Sequence, residues 1–145
     1  MTQQPLEDYS DESTLLVFLM QCPKCAKAFE TVVFNEIELD RCIGCHGLWF
    51  DALEKEDLLK MEGAESIDLG ADQVESRYRE MRDIQCPVCH QDMIPMVDKD
   101  QFHIKYESCP TCFGTFFDAG EFADLKDHTV VERFRQMLNT LRTHL

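Results

Sequence analysis

Positive charge is scarce in this sequence. The 145 residues contain 14 lysines and arginines against 28 aspartates and glutamates, a formal net charge of −14 at pH 7. Proteins that bind DNA or RNA neutralise phosphates with Lys and Arg side chains. The deficit therefore argues against a nucleic-acid-binding finger and against binding to an anionic membrane. It favours protein partners with basic surfaces.

Long hydrophobic segments are also missing. The longest apolar run, Leu15–Met20, has six residues, whereas a membrane-spanning helix needs about 20. The start of the chain is acidic and does not resemble a secretory signal peptide. We therefore expect a cytoplasmic protein that does not bind membranes. In that reducing compartment patterned cysteines are ligands more often than disulfides, and a secreted disulfide framework is the alternative.

Patterns typical of enzymes are absent as well. The sequence contains no Ser-His-Asp set and no phosphate-binding glycine loop, so we expect no catalytic activity. What it does contain is eight cysteines, all of them in Cys-x-x-Cys pairs. The pairs are Cys22 and Cys25, Cys42 and Cys45, Cys86 and Cys89, and Cys109 and Cys112.

The four pairs form two sets, one within residues 22–45 and one within 86–112. Each set supplies four thiolates, the ligand number of a closed tetrahedral zinc site. Such a site is structural, because catalytic zinc keeps one position open. Two residues between ligands allow a tight turn, a knuckle, that directs both sulfurs at one ion. We predict two Zn²⁺ ions, one per set, and a rubredoxin-like iron site is the alternative that spacing leaves open.

The pairs and their neighbours allow two competing interpretations. Cys-x-x-Cys is also the thioredoxin-type redox motif, but that fold places one pair between a strand and a long helix in a larger unit. His46 and His90 each follow the second cysteine of a pair. They are alternative ligands, although four sulfurs already complete each shell.

The pairs mark an internal repeat. Cys22 recurs 64 residues later as Cys86, and Cys42 recurs 67 residues later as Cys109, so the second copy has three extra residues between its pairs. After the second pair the shift of 67 continues through a shared Gly-x-x-Phe-Asp-Ala-x-Glu segment. Such a repeat is one supersecondary unit used twice. It predicts two independent metal sites, each stabilising a unit too small to bury a sufficient core alone.

Each copy has room for a β-hairpin between its pairs, and the extra residues of copy two are expected in its turn. The predicted strands are 31–34 and 37–40 in copy one, and 93–97 and 102–107 in copy two. Period-two alternation in the return strands predicts their inward residues. These are Ile37 and Leu39 in copy one, and Phe102, Ile104 and Tyr106 in copy two.

Each copy then begins a helix at an acidic residue that is followed by Glu three positions on. The residues are Asp51 and Glu54 in copy one, and Asp118 and Glu121 in copy two. This spacing is typical of a capping box, in which Asp accepts an amide N–H of the first turn and Glu reaches back. The capping role explains the spacing better than a pair of catalytic acids does.

Two more helices are predicted. Helical spacing and a Glu75–Arg79 pair at i,i+4 indicate a linker helix over 71–83. Thr129 is the candidate cap of an amphipathic C-terminal helix. Its apolar face consists of Val130, Phe134, Leu138, Leu141 and Leu145. The N-terminal run Leu15–Met20 is expected to be a buried strand, with docking of a partner as the alternative.

Aromatic residues follow the second pair of each copy, at Trp49 and Phe50 and at Phe116 and Phe117. We expect one aromatic side chain of each pair to pack in the core, where it shields the sulfurs. The other of each pair is expected to be exposed and available to a partner.

These motifs resemble the transcription-factor-IIB-like zinc-finger family of small bacterial proteins, and both copies show the resemblance. After Cys-Pro-x-Cys and the hairpin, copy one reads Asp40-Arg41-Cys42-x-x-Cys45-x-Gly47-Leu48-Trp49-Phe50-Asp51-x-x-Glu54. The resemblance implies a zinc ribbon with all eight cysteines as ligands. Copy one departs from the family pattern at Leu53, and copy two departs at Glu107, Thr115 and Phe116.

The predicted fold class is a small metal-stabilised α+β protein made of two tandem zinc ribbons. Each ribbon is a β-hairpin with two cysteine knuckles followed by a short helix. The predicted boundaries are a disordered acidic N-terminus at 1–13, ribbon one at 14–65, a helical linker at 66–84, ribbon two at 85–128 and the C-terminal helix at 129–145.

The functional hypothesis is a non-catalytic protein–protein interaction module or adaptor, with the link to transcription that the family name suggests. A nucleic-acid-binding regulator that uses the arginines of 77–82 and 133–142 is the alternative. A zinc store or donor is a minor one. The amphipathic C-terminal helix is in addition a candidate homodimer interface.

Overall fold

The computed structural model describes residues 20–143, except for the side chains of 128–133. The strands are β1 Phe29–Phe34, β2 Ile37–Cys42, β3 Leu48–Phe50, β4 Ile94–Val97, β5 Lys105–Ser108 and β6 Thr115–Phe117. The helices are α1 Glu54–Leu59, a 3-10 helix at Ala64–Ile67, α2 Ser76–Glu80 and α3 Glu121–Thr143. The N-terminal disorder predicted at 1–13 and the strand predicted over Leu15–Met20, apart from Met20 itself, lie outside the described residues.

The fold is α+β, as predicted, and its centre is one six-stranded sheet that both repeats build. The strand order is β1-β2-β3-β6-β5-β4, and the neighbouring strands are antiparallel. At the centre β3 of the first repeat pairs with β6 of the second, with Trp49 opposite Phe116. The predicted independence of the two metal units is therefore wrong, because the repeats share a sheet. The predicted domain boundaries stay predictions.

The first hairpin confirms the sequence expectation. The strands β1 and β2 pair from Phe29 opposite Cys42 to Phe34 opposite Ile37, so the turn is Asn35-Glu36. Both turn residues have positive φ, 47° and 71°. A two-residue turn of this kind matches the twist of the two strands.

The second hairpin is shorter than predicted. The loop between β4 and β5 runs over residues 98–104, and the carboxylate of Asp98 accepts the amide N–H groups of Asp100 and Gln101. This local turn delays the return strand until Lys105. As a result Ile104 is buried as expected, but the Phe102 side chain is 73% exposed, and its predicted inward position is wrong.

The sheet is covered on both faces. Trp49 and Phe116 face the cysteine knuckles, whereas Phe50 and Phe117 face the helices. All four aromatic side chains are buried, so the expectation that one of each pair is exposed is wrong. The helix-side core consists of Leu39, Leu48, Phe50, Leu58, Ala64, Ile67, Ile104, Phe117, Phe122 and Leu125.

The helices differ from the predicted linker and tail. The linker helix is only α2, and Glu75 pairs with Arg77 (3.2 Å between Oε2 and Nε) instead of forming the predicted pair with Arg79. Helix α3 runs without a break from Glu121 to Thr143, so the helix after the second ribbon and the predicted C-terminal helix are one element. Among the described residues, no helix combines the length and apolar character needed to cross a bilayer.

The predicted capping boxes form only in part. In the first repeat Glu54 reaches back to the Asp51 amide (2.9 Å), but the Asp51 carboxylate accepts the indole N–H of Trp49 (3.1 Å). In the second repeat the Asp118 carboxylate is in ion pairs. The cap of α3 is Asp68 of the linker, which accepts the amides of Gly120 (2.8 Å) and Ala123 (3.0 Å).

Candidate metal centres

All four cysteine pairs form the same knuckle. In each pair the amide of the residue two positions after the first cysteine donates to the first cysteine's Sγ, at 3.3 or 3.4 Å. The residue after the second cysteine has positive φ, and its amide closes the turn on the carbonyl of the first cysteine. These residues are Ala26, His46, His90 and Phe113. The turn aims both sulfurs the same way, and its amides offset thiolate charge.

The knuckles bring the eight sulfurs into two groups of four, as the sequence predicts. Within each group the ligand atoms all lie within 4.8 Å of one another. The Sγ atoms of Cys22 and Cys45 are 3.6 Å apart, and those of Cys86 and Cys112 are 3.7 Å apart. A tetrahedral zinc ion with Zn–S bonds of about 2.3 Å separates its sulfurs by about 3.8 Å. The two groups therefore fit two Zn²⁺ sites.

The donor chemistry also fits zinc. None of the eight cysteines forms a disulfide, and both groups contain sulfur alone. Neither His46 nor His90 belongs to a group. Each instead adopts the left-handed backbone conformation that ends a knuckle. Four thiolates complete the shell, so each ion would be held without an open position.

The crowded sulfurs favour one thiolate per site even before a metal binds. In the first site hydrogen bonds from Cys22 and Cys45 lower the pKa of Cys42 well below its usual value. In the second site burial raises the pKa of Cys109, but the amides of Cys112 and Thr111 oppose it, and the net result is a pKa of about 7. Each favoured thiolate belongs to the first cysteine of its site's second knuckle. Metal binding then displaces the remaining thiol protons.

The two sites lie in one buried cluster beneath the centre of the sheet. The cluster joins Trp49 and Phe116 with cysteines of both sites, together with Ile84 and Met93. Gly47 packs against the Phe116 ring of the other repeat, and a Cβ at this glycine would overlap the ring. Gly114 packs against Trp49 in the same way. These reciprocal contacts explain why both copies carry glycine two residues after the last cysteine.

A buried ion-pair network connects the repeats, and the sequence interpretation missed it. The ammonium of Lys24, inside the first knuckle, lies 2.7 Å from Asp118 Oδ1 and 3.6 Å from Glu107 Oε1 of the second repeat. The guanidinium of Arg82 contacts the same two carboxylates. Burial raises the pKa of Asp118, while Lys24 and Arg82 oppose the rise. The sequence signal for this network was an aspartate present in both copies, but that aspartate was interpreted as a helix cap.

A comparison with family models finds the kind of family that the resemblance had indicated. The transcription factor zinc-finger family model matches residues 21–61 and 85–128, as two separate segments. The segments correspond to the two repeats and contain all eight cysteines. No curated protein and no solved structure matches the chain.

Proposed function

The chain belongs to the transcription factor zinc-finger family, a family of zinc ribbons, and on that basis we propose that it is a non-catalytic zinc-binding module that docks onto another protein. The observation that carries this proposal is an apolar stripe on the last turns of α3. Four large side chains of that stretch are substantially exposed. They are Phe134 (58%), Met137 (51%), Leu138 (37%) and Leu141 (54%).

The stripe has the spacing of a docking helix. Its members recur at i, i+3, i+4 and i+7, so they lie on one side of α3. The first turn of α3 is anchored, because Phe122, Leu125 and Lys126 are buried against the body. After Lys126 the helix continues for about 25 Å to Thr143, and its described side chains, 127 and 134–143, are exposed. An anchored helix that presents an apolar stripe fits the groove of a partner protein.

Charge supports a particular kind of groove. Residues 134–143 carry Arg135 and Arg142 and no acidic residue, although the whole chain has a net charge of −14. An apolar groove with acidic residues at its rim would complement this stretch. The acidic body would in turn favour basic surfaces nearby. The family description supports looking for this partner in the transcription apparatus, and patterned cysteine ligands are more typical of a reducing, cytoplasmic location than of a secreted protein.

The metal centres support a role without catalysis. Each group offers four sulfurs to one ion, so a bound zinc would have no free position for water or substrate. In this proposal the zinc ions supply folding energy. They stabilise the sheet and the buried start of α3, and the binding surface is the apolar stripe farther along that helix.

The experiment is affinity capture with three zinc-loaded baits: the natural chain, Leu141→Asp and Val33→Asp. Val33 is 60% exposed on β1, so it is a matched exposed apolar residue away from α3. We expect a protein that is captured by the natural chain and by Val33→Asp but lost with Leu141→Asp. Circular dichroism checks that both variants keep the fold. An identical protein set on all three baits would overturn the proposal.

Nucleic acid is the competing partner. Two arginines of the predicted basic stretch 77–82 already have intramolecular partners, since Arg77 contacts Glu75 and Tyr78 while Arg82 contacts Glu107. A mobility-shift assay at low and moderate salt separates the two cases, because phosphate binding weakens steeply with salt. Binding at low salt together with nucleic acid alone in the eluate would favour the regulator.

Self-association and zinc storage also compete with the docking proposal. Two copies that paired through α3 would bring two bodies of charge −14 together, which opposes a homodimer. Sedimentation of the natural chain and of Leu141→Asp decides this question. A dimer through α3 predicts the mass of a dimer for the natural chain and that of a monomer for Leu141→Asp. A zinc donor requires exchange of the ion faster than unfolding, which isotope exchange with ⁶⁷Zn measures.

A further inference from the structure

We propose that the two zinc sites load as a coupled pair, so that filling one site raises the affinity of the other. The coupling depends on the ion pairs of Lys24 and on the two contacts between a glycine and an aromatic ring. The inference concerns metal loading alone and does not rest on the proposed partner of α3. It follows from three contacts, each of which joins a ligand segment of one repeat to the core of the other.

The first contact is the Lys24 ion pair. Lys24 lies between two ligands of the first site, Cys22 and Cys25, and its Nζ is 2.7 Å from Asp118 Oδ1 of the second repeat. The side chains of Lys24 and Glu107 are fully buried, and that of Asp118 is 4% exposed. Without metal the first knuckle is no longer tied to the hairpin, and Lys24 can leave. Two buried carboxylates of the second repeat would then lose a counter-charge, which is strongly unfavourable.

The second and third contacts are the reciprocal glycine packings. Gly47 follows the last cysteine of site one by two residues and lies under the Phe116 ring of the second repeat. Gly114 occupies the same position after site two and lies under Trp49 of the first repeat. When either site empties, its glycine segment can move away from the ring that belongs to the other repeat. This movement removes close packing around the aromatic ring of the repeat whose site is still occupied.

The central strand pair transmits the same change through the backbone. Strand β3 begins three residues after Cys45, and β6 begins three residues after Cys112. The two strands pair only over Leu48–Phe50 and Thr115–Phe117, so neither ligand segment can disorder without loosening the other. Coupling between two binding sites is reciprocal, and values of about 5- to 150-fold are typical.

The test counts the metal ions per molecule. Apo protein, prepared with a chelator under reducing conditions, is brought to one equivalent of Zn²⁺ and examined by native mass spectrometry. Independent sites would place about half or more of the protein in the one-metal form. Coupling predicts instead that the apo and two-metal forms together exceed the one-metal form. A one-metal majority in the natural chain overturns the proposal.

A variant in the second repeat tests the route through Lys24. Asp118→Asn removes one carboxylate partner and lies six residues beyond the last ligand, Cys112. We expect the one-metal form to increase, and the ratio of the two stepwise zinc constants to fall by several-fold in a competitive chelator titration. Asp100→Asn is the matched control, because Asp100 is an exposed acid of the same repeat that pairs with Lys99 on the surface. Its distribution should equal that of the natural chain.

The reciprocal variant is Lys24→Met, which keeps the apolar stem and removes the charge. If it fails to fold, Asp118→Asn still decides the question, since it leaves the first knuckle unchanged. Equal species distributions in Asp118→Asn, Asp100→Asn and the natural chain would overturn the role of Lys24. A change in Asp118→Asn that Asp100→Asn does not share would support it.

Discussion

The two repeats hold their metal ligands in the same knuckles, but they differ in the residue between the first two ligands. In the first repeat that residue is Lys24, whose ammonium is buried against Asp118 and Glu107. In the second repeat the equivalent residue is Val88, which is 50% exposed and has no charge to offer. The copies have therefore become complementary: the first supplies the cation and the second supplies the buried carboxylates.

The matching acids of the first repeat have different neighbours. Asp40 corresponds to Glu107. The pKa of Asp40 is raised to about 6, mainly by burial and in addition by the nearby carboxylates of Asp51 and Glu38. Asp51 corresponds to Asp118, and its carboxylate accepts the Trp49 indole N–H. Phe116, at the place of this tryptophan, has no such donor. The same motif thus supports an ion pair in one copy and a hydrogen bond from an indole N–H in the other.

Their outer edges differ as well. The 3-10 helix of the linker packs against β1, and Val32 and Phe34 of that strand contact the helix-side core. Every residue of β4 is exposed in the second repeat, where Pro95 lacks the amide that an added strand would need. The 3-10 helix also packs against α3, so the linker covers the outer edge of the first repeat and connects it to the helix of the second.

The largest expected effect is that of metal removal. Structural zinc contributes about 10–16 kcal/mol of folding free energy in zinc-finger peptides, more than a domain of this size retains in net stability. Chelation under reducing conditions should therefore abolish near-ultraviolet circular dichroism from the buried Trp49. In the second site Cys89 and Cys112 are both half-buried, against Cys25 alone in the first, so a chelator should reach site two first, and with coupled sites the ion of site one should follow without accumulation of a one-metal form. Retention of the native spectrum without metal would contradict this prediction.

The next largest effect is that of Lys24→Met compared with Val88→Met. The first change leaves Glu107 and Asp118 buried with one cation fewer, and breaking a buried pair typically costs about 3–5 kcal/mol. The second changes an exposed side chain, so its effect should stay within about 0.5 kcal/mol. Urea unfolding of the zinc-loaded proteins measures both. Equal losses would remove the asymmetry between the two knuckles.

The glycine contacts allow a finer comparison. Alanine at Gly47 would overlap the Phe116 ring, and alanine at Gly114 would overlap Trp49; overpacking typically costs about 1–3 kcal/mol. Gly114→Ala should be the costlier, because the Trp49 ring is larger and its indole is tied to Asp51. Gly70→Ala is the control, since its Cβ meets nothing within 4 Å and only the strain of its positive φ is expected. Thermal unfolding in excess zinc ranks the three.

Much of the metal chemistry and part of the fold were predictable from the sequence. The grouping of the cysteines and the hairpin around Asn35-Glu36 depend on short spacings, and the structure has both as local spacing predicts. The union of the repeats through β3 and β6 was not predictable, because strands of three residues give no periodic signal. The pairing of Lys24 with Asp118 spans 94 residues, and no local pattern reports such a contact.

The cap of α3 is another long-range feature, and it gives the smallest expected effect. Asp68 of the linker accepts the amide of Gly120, just before α3, and that of Ala123 in its first turn, 52 and 55 residues away. The first repeat instead uses Glu54, which bonds the amide of Asp51 within its own helix start. Loss of a capping side chain costs about 0.5–2 kcal/mol, so Asp68→Ala should lower the free energy of unfolding by about 1 kcal/mol.

Amide hydrogen exchange measures the difference between the distant cap, Asp68, and the local cap, Glu54. Asp68→Ala should speed amide hydrogen exchange at Gly120 and Ala123 at the root of α3, whereas Glu54→Ala should affect only the start of α1. Asp72→Ala, an exposed acid in the same linker, should leave both regions unchanged. If Asp68→Ala left exchange at Gly120 as slow as in the natural chain, the linker would not secure α3. In that case the second repeat would have to hold its helix by the burial of Phe122, Leu125 and Lys126.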